Sequence, residues 1–102
     1  MNDIAPKLPS HGQFSAVANT HFRTTFGDGL AVTLSLVSVS ELTDNSVTQS
    51  FSLIFLAPPT EQPTQSIYTL SHDTLGEMEL FLVPVKRDAD GVYFESVFSN
   101  FV

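Results

Sequence analysis

The sequence contains no cysteine and no tryptophan, and only four lysine and arginine residues. It also has no apolar run approaching the roughly 20 residues that a membrane helix needs. Without cysteine there is neither a disulfide nor a thiolate metal site, and the redox compartment is left open. Lys7, Arg23, Lys86 and Arg87 stand against eleven acidic residues, for a formal net charge of −7. Four scattered cations build neither a phosphate-tracking stripe nor a patch for anionic lipid, so neither nucleic acid nor membrane is expected as a partner. Met1 to Pro9 lacks the basic region and apolar core of a secretory leader. The chain is therefore expected to be cytoplasmic as synthesised, with incorporation into an exported or virion-like assembly left open.

What the sequence does have is apolar β pattern. It is 42% hydrophobic and 15% charged, and nine phenylalanines make Phe the main core filler. At 102 residues it has room for one core. Residues 1–9, with Pro6 and Pro9, read as a loose N-terminal arm, and 10–102 as a single β domain. Ser10 to Ala18 predicts a short helical turn, with Ser10 as cap and Phe14 and Val17 on one side.

Strands are predicted near 21–26, 30–38, 49–57, 66–72, 76–86 and 92–99. In the first, Phe22, Thr24 and Phe26 share a face, and Gly27-Asp28-Gly29 turns the chain. Strict alternation then puts Leu30, Val32, Leu34 and Leu36 inward. Glu41 to Ser46 reads as a polar connection, and Pro58-Pro59 ends the third strand because proline donates no ladder bond. Six strands joined by short turns predict an all-β fold, a small antiparallel six-stranded barrel or a two-layer sandwich.

Two of these strands are apolar on both parities. In Phe51–Ala57 the second face carries Ile54 and Leu56. In the fifth strand Met78, Leu80 and Leu82 face the core, while Phe81, Val83 and Val85 continue on the face of Glu77 and Glu79. A strand with one face in water alternates, so these second faces predict either a bulge that shifts the phase or a cover. Ile54, Leu56, Phe81, Val83 and Val85 are thus the candidate interface, covered by the chain's own Phe14–Val17 segment, by a second copy or by a partner.

Candidate chemistry is sparse. Asp88-x-Asp90-Gly91 resembles the opening of a calcium loop, but positions five and twelve are Val92 and Ser99 instead of oxygen-rich ligands, and an Asp-rich hairpin turn accounts for it. His11, His21 and His72 do not have zinc spacing. Tyr68 and His72 share a strand face, which makes them the candidate residues for a small apolar or sugar-like ligand at a barrel mouth. A hydrolase using His72 with Asp73 or Glu77 requires a nucleophile in reach, and no Gly-x-Ser-x-Gly exists. No cofactor is expected.

The run Tyr68-Thr-Leu-Ser-His72-Asp-Thr-Leu75-Gly76, then Leu80-Phe-Leu-Val-Pro-Val85 and Tyr93-Phe-Glu-Ser-Val-Phe98, resembles a family of small bacterial all-β domains of unassigned function. Their pattern is Tyr-x-Leu-x-His, Leu-Gly, Leu-Phe-Leu-Val-Pro-Val and a closing Tyr-x-Ala-Val-Phe, so Ser96 departs from it. The resemblance extends from about Phe14 through Phe22 and Phe51-Ser-Leu-Ile-Phe55. The resemblance implies a gene neighbourhood shared with phage-tail-collar-like fibre proteins. The resemblance therefore implies a part of, or an accessory to, a tail-like fibre, and carries no catalytic residues.

The expectation is a non-enzymatic structural or interaction protein that self-associates or docks on a fibre-like partner, with ligand binding near Tyr68 and His72 as the alternative. Because no complete ligand set exists for zinc or calcium, chelator is expected to leave the thermal melting temperature unchanged. A drop of many degrees would assign Asp88 and Asp90 to a metal.

Overall fold

The computed structural model describes residues 8–27 and 29–101. Residues 1–7 of the 1–9 arm, Asp28 in the first turn and Val102 lie outside the described residues. In chain order come α1 (His11–Ala16), β1 (His21–Thr25), β2 (Ala31–Val39), β3 (Thr43–Asp44), β4 (Thr48–Ala57), β5 (Ser66–His72), β6 (Gly76–Asp88) and β7 (Gly91–Phe101). All sheet pairings are antiparallel, in the order β2-β1-β5-β6-β7-β4-β3. A further β2–β4 pairing closes the circle. The result is a closed six-stranded barrel with β3 as an extra strand, so the sandwich alternative falls away. All six predicted strands are present. β3 falls inside the stretch expected to be a polar connection, where Thr43 and Asp44 pair with Ser50 and Gln49.

The inward parity carries the core. Phe22, Leu34, Leu36, Leu53, Phe55 and Leu70 are fully buried, and Leu80, Leu82, Val92 and Phe94 nearly so. β4 shows the alternation most fully, with Phe51, Leu53, Phe55 and Ala57 buried and the residues between them half-buried. Leu30 was expected inward but is 64% exposed, because β2 begins one residue later and Leu30 belongs to the turn. Among the described residues no helix is long and apolar enough to cross a membrane.

One end of the barrel is closed by α1. Ser10 Oγ accepts from the Gln13 amide at 3.2 Å, and Gln13 Oε1 accepts from the Ser10 amide at 2.9 Å, a reciprocal capping box that fixes so short a helix. The helix presents Phe14, fully buried, to the rings of Phe51 and Phe98 at 6.2 and 5.4 Å. Phe51 and Phe98 themselves stack at 4.7 Å and 6°. Phe14 and Val17 therefore fill the barrel's interior and do not lie over its outer wall.

At the opposite end, Phe26, Tyr68 and Phe94 pack edge to face or tilted, with centroids 5.7 to 6.1 Å apart. Here Gly91 opens β7 at φ +143°, and a Cβ on it would sit 1.9 Å from the Ala57 carbonyl oxygen. Only glycine allows β7 to start that close to the end of β4.

β6 serves two neighbours in turn. It pairs with β5 from Gly76 to Leu82, then with β7 from Val83 onward. Pro84, which has no N–H to give, falls in the stretch that has a ladder on one side only. The register shifts between Pro84 and Lys86, leaving Val85 as the extra residue of a bulge. The predicted bulge thus exists, but it comes after Phe81 and Val83 and leaves both on the glutamate face.

Phe55→Ala and Leu34→Ala are each expected to lower unfolding free energy by about 2–5 kcal/mol, the usual range for large-to-small changes in a packed core. Denaturant melts measure it; a loss below about 0.5 kcal/mol would place these side chains outside the core.

Candidate functional site: the outer wall, the seam and the His72 network

Cross-strand register decides which outward residues meet. Ile67 on β5 is paired with Phe81 on β6. Val83 on β6 is paired with Glu95 on β7, and Glu95 with Ile54 on β4. Leu56 pairs with Tyr93, and Val97 with Ser52. Partners on one face of an antiparallel pair have Cβ atoms about 5 Å apart, so these residues form one continuous apolar area across β5, β6, β7 and β4. Val97 is 66% exposed, Ile67 65% and Phe81 51%; Ile54, Leu56 and Val83 are half-buried.

Of the five residues singled out by sequence, four belong to this area. Val85 is exposed beside it, but the bulge takes it out of the row. The sequence reading missed Ile67, Val97 and Glu95. Apolar residues at outward parity were the available signal for the first two. Nothing short of the register marks Glu95 as the polar centre of an apolar row.

Tyr68 and His72 do face the same way, yet the structure does not bring them together. They flank buried Leu70 on β5 and lie at opposite ends of the barrel. Tyr68 joins Phe26 and Phe94 at the end away from α1, and its hydroxyl donates to the Thr64 carbonyl. Burial raises its phenol above the usual pKa.

His72 is buried at the α1 end, its ring 4.4 Å from that of Phe22. Its Nδ1 accepts from the backbone N–H groups of Thr74 and Leu75 at 3.0 and 3.1 Å. A nitrogen receiving two donors carries no proton, which assigns the hydrogen to Nε2. Nε2–H then donates to Thr20 Oγ1 at 2.8 Å, and Thr20 donates to the Val17 carbonyl at 2.6 Å. The hydrogens run from His72 toward Thr20, opposite to the flow a base needs to activate that hydroxyl. This arrangement ties the turn after β5 to the end of α1.

The other candidates are dispersed. Asp73 pairs with Arg23 at 2.8 Å, on the surface. His11 Nε2 lies 2.8 Å from the Ser40 carbonyl and its ring meets Phe51 edge-on, while His21 is exposed. Glu77 and Glu79 are exposed beside Ser71 and Thr69. Asp88 Oδ1 accepts from the Asp90 amide at 2.8 Å, which holds its carboxyl below the usual range and closes the hairpin turn. Among the described residues no three His, Asp or Glu side chains gather as a metal cluster.

The barrel has one weak seam. β1 and β5 share a single bridged pair, Arg23 with Ser71, and Thr24 Oγ1 reaches across to the Thr69 carbonyl at 2.8 Å. Beside it an open cleft of about 1150 Å³ is lined by Thr25, Phe26, Thr64, Ile67, Tyr68 and Phe94 among others. Arg87 fixes the loop wall by donating to the Thr60 and Glu61 carbonyls at 3.0 and 3.2 Å.

Comparison with known proteins gave one family model, described as Domain of unknown function (DUF6916), which matches residues 9–98. No curated protein and no solved structure matches.

His72→Ala is expected to cost about 2–4 kcal/mol, combining a cavity with two orphaned amides. Thr20→Val should cost less, about 1–2 kcal/mol. Denaturant melts showing no loss in either variant would mean that the network does not hold α1 on the barrel.

Proposed function

The chain belongs to the DUF6916 family, and we propose that it is a non-enzymatic interaction module that works through the outside of its barrel wall. The observation that carries this reading is the apolar area spanning β5, β6, β7 and β4, with Ile67, Phe81 and Val97 each more than half exposed on a chain of net charge −7. Each large apolar side chain left in water forgoes roughly 1.5–3 kcal/mol of burial, and contiguous patches of this kind mark docking surfaces. The interior supports the same reading. It is filled by Phe, Leu and Val side chains, so the barrel is built as a solid support and not as a container. The candidate occupants of the outer wall are a second copy and a fibre-like protein, the partner implied by the sequence resemblance.

A second reading rests on the cleft at the β1–β5 seam, where Tyr68 and Phe26 give a half-buried aromatic floor among threonine hydroxyls. In that reading a small ligand contacts Tyr68, and His72, at the far end of the strand, takes no part.

Val83→Glu tests the first reading. It places a second carboxylate beside Glu95 on the outer face and touches no core residue. The variant is expected to melt as the wild type does but to lose association, read by light scattering over a concentration series and by co-purification from the host. A wild type that stays monomeric at high concentration and retains no host protein would overturn the proposal.

A further inference from the structure

Glu95 is half-buried in the middle of the outer apolar row, between Val83 and Ile54, with Val97 two residues farther along the same strand. Among the described residues its carboxylate has no hydrogen-bond or ion-pair partner. The described cations are all engaged elsewhere. Arg23 pairs with Asp73 at 2.8 Å, and Arg87 holds the Thr60 and Glu61 carbonyls. Lys86 lies 3.6 Å from Asp88 and 4.9 Å over the Tyr93 ring.

Covering this row with purely apolar surface would strand an ionised carboxylate, which is costly to desolvate without a counter-charge. The occupant must therefore bring a cation to that spot. A second copy fits poorly. A two-fold contact apposes the same patch on both subunits, which here brings a second Glu95 to the contact while the described cations are already engaged, Lys86 with Asp88 and Tyr93 among them, and like charges across an interface select against it. We infer that the outer face of β6, β7 and β4 docks a different protein through an extended or flat segment that sets a lysine or arginine on Glu95. Apolar side chains on either side of that cation cover Ile54, Val83 and Val97. This rests on the docking reading above and names the chemistry of its partner.

The test titrates the full chain with short synthetic peptides of alternating valine and lysine, and separately of alternating serine and lysine, while backbone amide NMR signals report the site. The valine–lysine peptide is expected to shift signals of β4, β6 and β7 and to bind more weakly as salt rises. Glu95→Gln, isosteric and uncharged, should weaken it about tenfold, the loss of one charge-assisted contact. Glu41→Gln, an exposed carboxylate in the connection after β2 and outside the row of Val83, Glu95 and Ile54, should leave it unchanged. Equal binding of the serine–lysine peptide, no binding at all, or an affinity indifferent to Glu95→Gln would overturn the inference. So would a wild-type dimer in light scattering that dissociates on Lys86→Ala, since a second copy would then be supplying the cation. The two proposals fail separately. If Val83→Glu abolishes binding and Glu95→Gln does not, the cation is wrong and the docking face stands; if neither variant matters, both fall.

Discussion

The structure depends first on β4 having a hydrogen-bonded neighbour along both edges. β7 runs beside it for its full length, from Thr48 to Ala57. On the other edge β3 meets its first residues, and β2 meets Leu53 to Leu56. An uncharged strand of this composition with a bare edge would be a template for pairing with other chains. The β2–β4 pairing removes that edge and, in the same act, closes the sheet into a barrel. It also brings Leu36 opposite Phe55, so the inward residues of strands distant in sequence share one core.

Closure leaves two ends to fill, and aromatic rings fill both. Phe14, Phe51 and Phe98 with His11 close the α1 end, while Phe26, Tyr68 and Phe94 close the other. Among the described residues Thr24, His72 and Ser96 are the buried polar side chains, and three hydrogen-bonded contacts satisfy the ring nitrogens of His72. With the lumen committed to packing, the surface that varies in chemistry is the outer wall and the seam.

Much of this was legible in the residues. Period-two alternation located every barrel strand, because each has one face in a packed core and that face must be apolar. Ser10 as a cap, with Phe14 and Val17 three residues apart, marked the helix; the reciprocal bond from Gln13 came from the structure. β3 escaped because a two-residue strand of Thr and Asp has no periodicity to detect; tertiary pairing alone makes it a strand. The double-sided character of β4 and β6 was visible, but which outward residues adjoin was not, since adjacency across strands is set by register and by the bulge at Val85. Tyr68 and His72 show the limit of same-face reasoning. Four residues along a strand are roughly 13 Å apart, enough to put them at opposite ends of so small a barrel. Nothing in the sequence distinguishes Glu95; the register alone places Val83 and Ile54 on its two sides.

The ring of Phe14 rests against that of Phe98, so residues near the two ends of the described chain complete the same end of the core. Contacts between residues this far apart in sequence form late, because the loop-closure entropy must be met before they contribute. On the ribosome the consequence is sharper. α1 and β1 to β6 are all made before β7, the strand that pairs along the whole of β4. Until β7 is free to pair, Phe51, Leu53 and Phe55 lack the neighbour that covers them, so the nascent chain is most prone to misassociation in that interval. The last residues of β7 are therefore where the chain changes from a sticky intermediate to a closed barrel.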